Sequence, residues 1–273
     1  MPARTRPKAQ PSGPKTNSSS SVTTPPPPPS LPLREYFALL SYHSALLIAS
    51  FLFLPRSTKG TRLSQRSSAD RPEHPFLTPL TANPLRTMAW HVVGLAVCVT
   101  WWGQHLRTWR AGSKTRDDSP ASRQKRRRAL ADRLLETAAT TLFGTVILVP
   151  VIFAFGAPLD SHFGHTVFLA LHLSLLLVWP VIHALGIPSA ESAILDRFRL
   201  SRLFCQFGAE TPLERALVYP AVGTLIGAWI GAAPLPLDWD RPWQSYPLTV
   251  TVSSLLGYIV GGYASWAHSA LEA

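Results

Sequence analysis

Two aspartates one residue apart, Asp238 and Asp240, are the carboxylates whose spacing best suits joint chemistry. Carboxylate oxygens are ligands that hard divalent cations prefer, so the pair could bind a metal ion or instead pair with the adjacent Arg241. A bound cation needs more than two such ligands, and the only other acidic residues expected on the same side of the membrane are Asp160 and, farther off, Asp70 and Glu73. The pattern therefore favours a loop that is ordered by its charges or docks on another molecule, without a metal.

Aromatic residues surround this pair, and prolines at Pro234 and Pro236 are expected to end the helix before it. An indole presents an apolar ring and a polar N–H, which is typical of the boundary between membrane and water. We interpret the segment as a loop at that boundary, either a plain turn or a docking loop. The docking residues would be Asp238, Trp239, Asp240, Arg241 and Trp243.

Histidines in an apolar segment are the second set of candidates. His165 and His172 are seven residues apart, which places them on one face of a helix, and His183 follows. A histidine inside a membrane span is a functional hypothesis because an unpaired polar group in hydrocarbon is costly. A hydrogen bond to Ser or Thr on a neighbouring helix would satisfy His172 equally well. The sequence contains no Ser/His/Asp elbow or Gly-rich phosphate loop beside them.

Charge distribution indicates where these residues lie. Of the 273 residues, 46 % are apolar and only 15 % are charged, and ten of the 26 Lys and Arg fall between Arg107 and Arg133. Soluble helices each need a hydrated face, whereas this chain has stretches of about 20 residues that are apolar all round. This excludes an ordinary cytosolic enzyme. Neither disulfides nor structural zinc are expected from two distant cysteines, Cys98 and Cys205.

Six apolar segments are each near the ~20 residues needed to cross a bilayer, and they predict an all-α polytopic membrane protein. The second segment is the weakest because it contains Arg86 and His91. The segments are Tyr36–Leu54, Leu85–Gly103, Thr137–Phe155, His165–Leu185, Ala216–Ala233 and Tyr246–Trp266.

Lys and Arg asymmetry predicts the orientation. With both termini in the cytosol, the cytosolic parts contain 19 of these residues and the opposite side contains 7. The predicted organisation is a disordered Pro/Ser-rich cytosolic tail (1–35), two spans with a lumenal loop (36–103), a basic cytosolic loop (104–136) and four spans (137–273). The run Arg123–Arg128 favours a topology determinant over an anionic-lipid patch or a nuclear signal, and the net charge of +11 gives no reason to expect nucleic acid.

Small residues recur every four positions in the last two segments. Gly223, Gly227 and Gly231 lie on one face of the fifth, and Gly257 and Gly261 continue a similar face in the sixth. Such faces allow close backbone approach in lipid. Two partners are possible: the two helices pack on each other within the bundle, or a glycine face is offered to another membrane protein.

The last segments resemble a known family. GAWIGAAPLPLDWDRPWQSYP (Gly227–Pro247) is similar to the signature of the Pig-F family of glycosylphosphatidylinositol (GPI) anchor biosynthesis. FGAPLDSHFGHTVFLALHLSLL (Phe155–Leu176) resembles the family's hairpin between its third and fourth spans. The resemblance covers about Thr137–Ala267, and the proline-rich tail and basic loop indicate a fungal-type member.

The resemblance implies a location and a role. Family members reside in the endoplasmic reticulum membrane, where they associate with large ethanolamine phosphate transferases and stabilise them. It implies a non-catalytic subunit without a cofactor. From the residues themselves, we expect the glycine faces to pack against the larger subunit and the Asp238–Gln244 loop to dock near its soluble domain. No catalytic residue is carried over. The alternatives are a membrane-embedded, metal-dependent transferase using Asp238 and Asp240, and a lipid transporter or scramblase using the histidines.

Overall fold

The computed structural model describes residues 32–56, 76–112, 119–187, 193–237, 239 and 241–273. The predicted tail at residues 1–35 lies almost wholly outside these ranges. Within the described residues the chain forms α-helices and short 3₁₀ turns, without a β-strand. The all-α fold class is confirmed. The helices are α1 (Leu33–Phe53), α2 (Thr78–Thr81), α3 (Pro84–Ala111), α4 (Pro120–Ala154), α5 (Phe163–Leu177), α6 (Trp179–Leu185), α7 (Ala193–Cys205), α8 (Pro212–Ala232) and α9 (Leu248–Leu271).

Five helical stretches in the described residues are long and apolar enough to cross a membrane, so the chain is a polytopic membrane protein. They match the first, third, fourth, fifth and sixth predicted segments. The second segment forms α3, a helix of 28 residues whose polar Arg86 and His91 lower its mean hydropathy, and it is absent from this set. A sixth span at α3 therefore stays a prediction. The five are Leu33–Arg56, Pro120–Ala154, Phe163–Leu185, Pro212–Ala232 and Leu248–Leu271.

Three long helices begin with the same local device. Asn83, Ser119 and Thr211 each precede a proline, and each side-chain oxygen accepts a hydrogen bond from a backbone N–H in the first turn. The cap satisfies a donor that the helix leaves unpaired, and proline at the first position has no N–H to satisfy. At Thr211 the cap is reciprocal, because the Glu214 carboxylate accepts from the backbone N–H of Thr211. These sequences thus fix the helix starts.

The basic region 104–136 is mostly helical rather than a loop. α3 continues to Ala111 and α4 begins at Pro120, well before the predicted third span, so Arg123–Arg128 lies on the first turns of α4. The fourth predicted segment differs too, because α5 ends at Leu177 and α6 begins at Trp179. Pro180 lacks the N–H that a continuous helix would need, which explains the break.

The core of the bundle forms around α5. This helix packs against α3, α4, α8 and α9, while α1 fills the gap between α3 and α9. A cluster of buried apolar residues joins α1, α3, α5 and α9 and includes Leu47, Leu95, Val99, Leu176 and Leu255. Among the five candidate spans of the described residues, α4 is the least covered by the protein, with 17 % of its apolar segment buried. Its buried side is a stripe of hydroxyl residues, Thr137, Thr141 and Thr145.

Candidate functional site

The predicted glycine faces meet each other. A Cβ atom built on Gly227 would lie 2.1 Å from the carbonyl oxygen of Ser253, and one on Gly257 would lie 2.0 Å from that of Gly223. These distances are far below van der Waals contact, so the two backbones touch where a side chain would otherwise stand. The contact between α8 and α9 is the most extensive between two helices of the described bundle.

The other two glycines of the prediction belong to the same contact. A Cβ on Gly231 would lie 2.7 Å from the carbonyl oxygen of Thr249, and one on Gly261 would lie 2.3 Å from that of Tyr219. Of the two partners considered, the structure therefore places the chain's own helix in this groove. The expectation that the glycine faces pack against a larger subunit is corrected, because α8 and α9 leave no room between them for a third helix.

The opposite side of α8 is the surface left for an outside partner. Its large apolar side chains point away from α9, and Trp229 is 76 % exposed. We call this set the outer face of α8; it comprises Leu225, Ile226, Trp229 and Ile230.

The predicted docking loop follows α8 and is ordered by an amide. The Gln244 side chain donates to the carbonyl oxygens of Pro234 and Leu237, both at 2.9 Å, and accepts from the backbone N–H of Arg241 at 3.0 Å. Asp238 and Asp240 lie outside the described residues, so the proposed pairing with Arg241 or a metal is not described. The role of Gln244 could not be predicted from the sequence, because a glutamine gives no structural signal unless the turn around it is known.

Aromatic residues of this loop lie together near the end of α8. The rings of Trp239 and Trp243 are 5.8 Å apart, and both side chains are partly exposed. The described residues contain no group of three or more His, Cys, Asp or Glu side chains suited to a metal. The loop that follows α8 therefore presents two exposed aromatic rings.

The buried histidine of the prediction is part of a relay across three helices. Nε2 of His91, on α3, lies 3.1 Å from Nδ1 of His172, on α5. Nε2 of His172 lies 2.9 Å from the hydroxyl oxygen of Ser254, on α9. His91 and His172 are fully buried, whereas His165 is half-buried nearer the end of α5. The expected hydrogen bond from His172 to a neighbouring Ser is confirmed.

One assignment of protons satisfies this relay with neutral imidazoles. Ser254 donates its hydroxyl proton to the carbonyl oxygen of Thr251 at 3.0 Å, so it accepts from Nε2–H of His172. Nδ1 of His172 is then an acceptor for Nε2–H of His91. Each contact has a donor and an acceptor, so both hydrogen bonds can form and hold the three helices together. The low dielectric constant of the interior strengthens these hydrogen bonds.

Replacing His172 by Phe should therefore destabilise the fold. The substitution keeps an aromatic ring but removes both interhelical hydrogen bonds, and we expect the free energy of unfolding to fall by about 2 kcal/mol. Thermal unfolding of the purified chain in detergent micelles measures the change. His165→Phe is the matched control and should have little effect. An unchanged stability for His172→Phe would argue against a structural relay.

Two further buried histidines lie outside this relay: His43, which had no role assigned from the sequence, and His183, which was a candidate only as a further histidine of the fourth apolar segment. His43 stacks on Trp102 with ring centroids 5.1 Å apart, and neither ring nitrogen has a hydrogen-bond partner among the described residues. His183 lies against Gly103 and its Nε2 is 3.4 Å from Oε1 of Gln104. A lone histidine in an apolar segment gives no pattern from which such partners could be found.

A buried carboxylate attaches α7 to α8. Glu214 is 2 % exposed and accepts hydrogen bonds from Arg199 at 3.0 Å and Arg202 at 2.9 Å. Hydrogen bonding to Glu210, together with the charge of Glu214, raises the pKa of Arg202 above its usual value. At the end of α9, hydrogen bonding to Arg215 lowers the pKa of Glu272. The sequence feature that could have indicated Glu214 is its spacing from Thr211, which is that of a capping box.

Comparison with known proteins identifies the family of this bundle. The family model described as GPI biosynthesis protein family Pig-F matches residues 73–266. The chain belongs to the Pig-F family. The match extends further toward the N-terminus than Thr137, so it includes α3 and the basic start of α4. It also contains the α8–α9 contact, the histidine relay and the loop, whereas α1 precedes it.

Curated relatives of this Pig-F member come from fungi and mouse. It is 40 % identical over 125 residues to glycosylphosphatidylinositol anchor biosynthesis protein 11 of Yarrowia lipolytica, covering 45 % of this chain and 50 % of that protein. It is 39 % identical over 126 residues to the PIGF/3-ketodihydrosphingosine reductase fusion protein of Schizosaccharomyces pombe, covering 46 % and 24 %.

A mouse protein named GPI ethanolamine phosphate transferase, stabilizing subunit, is 31 % identical over 129 residues, covering 47 % of this chain and 55 % of that protein. The alignment with each of these three relatives thus spans about half of that relative or less. No solved structure matches the chain.

Proposed function

We propose that this chain is a non-catalytic subunit that stabilises GPI ethanolamine phosphate transferases in the endoplasmic reticulum membrane. The observation that carries the proposal is the alignment with the mouse stabilising subunit, within a family match that includes α3 to α8 and most of α9. The proposed partner is the large transferase subunit. The ethanolamine phosphate acceptor would be a mannose of the GPI precursor, as the family resemblance implies.

The outer face of α8 and the adjoining loop are the proposed contact with that partner. The outer face provides large exposed apolar side chains, and the loop that follows α8 in the chain provides the exposed rings of Trp239 and Trp243. Tryptophans anchor protein interfaces strongly because they bury a large area at a low cost in conformational entropy. Asp238, Asp240 and Arg241 would add polar contacts on the same side, which the orientation prediction makes lumenal.

Replacing Trp229 by Ala tests this contact. Trp229 is 76 % exposed, so its loss should leave the bundle folded, whereas an anchor residue of the interface is worth about 2 kcal/mol or more. We expect about thirtyfold weaker binding of the large subunit, measured by co-purification from membranes at graded expression.

The matched control is Val146→Ala, because Val146 is 68 % exposed and belongs to α4, a different helix that packs against α5 and α6. The proposed surface would be contradicted if both variants weakened binding of the large subunit equally, or if neither weakened it. The proposed function itself fails if the purified chain alone transfers ethanolamine phosphate to a GPI intermediate.

A further inference from the structure

A second surface lies at the other end of the bundle, between α3 and α4. Both helices pack against α5 and α6, but they have little direct contact with each other. The space between them is a groove in two connected parts that share Gln104 and Leu130. One part has a volume of about 540 Å³ and the other about 660 Å³.

The two parts have opposite chemistry. The first is apolar and is lined by Val97, Trp101, Leu130 and Leu134 among others. The second is strongly basic, because four arginines line it: Arg107 from α3, and Arg123, Arg126 and Arg127 from α4. Among the described residues, none of these four arginines forms an ion pair with a carboxylate. Their charge is therefore available to an anion.

Helix geometry explains why the groove is continuous. Residues 123, 126, 127, 130 and 134 are spaced by three or four positions and share one face of α4. On α3, Val97 and Arg107 are separated by about 15 Å along the helix axis, at 1.5 Å per residue. This length accommodates much of an acyl chain below a headgroup. Lys125 and Arg128 lie on the opposite face of α4 and do not line the groove.

Neighbouring arginines have other contacts. Arg110 donates to the carbonyl oxygens of Ala184 and Leu185 at the end of α6, where cations are favoured by the helix dipole. Arg133 lies against Gly186 and pairs with Glu136 at 3.5 Å. The structure thus separates arginines that hold α6 from arginines that face the groove.

We propose that this groove binds one anionic phospholipid. The phosphate headgroup contacts Arg107, Arg126 and Arg127, and an acyl chain lies along Val97, Trp101 and Leu134. A single molecule that is anionic at one end and hydrocarbon at the other complements both parts, and basic pockets between membrane helices bind such headgroups. The lipid comes from the leaflet beside residues 104–136, predicted to be cytosolic. The site is independent of the proposed transferase partner.

Binding to the full chain purified in a mild detergent tests the site. The probes are dioctanoyl phosphatidylglycerol, dioctanoyl phosphatidylcholine and glycerophosphoglycerol. The last of these is the phosphatidylglycerol headgroup without its acyl chains. We expect phosphatidylglycerol to bind at least about tenfold more tightly than either other probe. Equal binding of phosphatidylcholine would overturn the anion contact, and equal binding of glycerophosphoglycerol would overturn the acyl contact.

Two double variants separate a built site from diffuse charge. The double variant Arg126→Gln/Arg127→Gln should weaken phosphatidylglycerol binding by about tenfold or more. The control, Lys125→Gln/Arg128→Gln, removes the same charge from the opposite face of α4. It should change phosphatidylglycerol binding by less than about twofold. Arg107→Gln tests the α3 side and should also weaken binding. Equal losses for the two double variants would overturn the proposal. Because the partner subunit is absent, failure here leaves the transferase proposal intact.

Discussion

Replacing Gly227 by Ala is expected to destabilise the chain, although the same change in an exposed helix would stabilise it. Alanine has a helix propensity about 1 kcal/mol better than glycine. Here the new methyl group would stand 2.1 Å from the Ser253 carbonyl oxygen, which is backbone and cannot rotate away. The helices α8 and α9 must separate, and we expect the free energy of unfolding in detergent to fall by about 3 kcal/mol.

Gly164→Ala provides the matched control. A Cβ at Gly164, in α5, would lie 3.3 Å from Cδ1 of Leu85, the flexible end of a side chain. The expected effect is a small stabilisation of at most about 1 kcal/mol. Equal effects at the two glycines would contradict the tight α8–α9 contact. Because Gly227 lies inside the α8–α9 contact, a bulky residue there would unfold this chain and so lower the level of the transferase subunit indirectly. Trp229 is exposed, so its replacement tests the contact with that subunit more directly.

Replacing Glu214 by Ala should release α7 from α8. The carboxylate is 2 % exposed, so its loss leaves Arg199 and Arg202 without their buried partner. Removing one member of a fully buried ion pair costs about 3–5 kcal/mol, and we expect about 2 kcal/mol because each arginine side chain keeps roughly a third of its surface in water. Tryptic cleavage within α7 should therefore accelerate about thirtyfold.

An exposed ion pair gives the comparison for this variant. Glu136 is 50 % exposed and pairs with Arg133 one turn earlier, so Glu136→Ala should cost less than about 0.5 kcal/mol and leave cleavage in α7 unchanged. If Glu214→Ala also leaves cleavage unchanged, the α7 attachment has another cause.

Apolar length and composition were sufficient to predict the helical class and most of the spans. Five predicted segments overlap helices that are long and apolar enough to cross a membrane, because hydrocarbon thickness sets their length. Helix ends were less accurate. The start of α4 at Pro120 depends on the Ser119 cap, while the charged residues that follow are as compatible with a loop as with a helix.

The sequence could not predict which helices contact each other. The spacing of Gly223, Gly227 and Gly231 predicted a close approach but not its partner, since any small-residue face satisfies the same packing rule. His91 weakened the second predicted span when considered alone, and only its position opposite His172 explains its burial. Gln244 orders the loop through main-chain carbonyls, which no residue pattern indicates.

The sparse attachment of α4 has a consequence for biogenesis. This helix leaves the ribosome before α5, yet its most apolar stretch of 18 residues has a mean hydropathy of 2.0, which is high enough for that stretch to partition into lipid unaided. The corresponding stretches of α8 and α9 are less apolar, with mean hydropathies of 1.2 and 1.3, and α8 exposes bare peptide groups along its glycines until α9 follows. We therefore expect this hairpin to leave the translocon as one unit, so that insertion of the C-terminal pair completes the bundle.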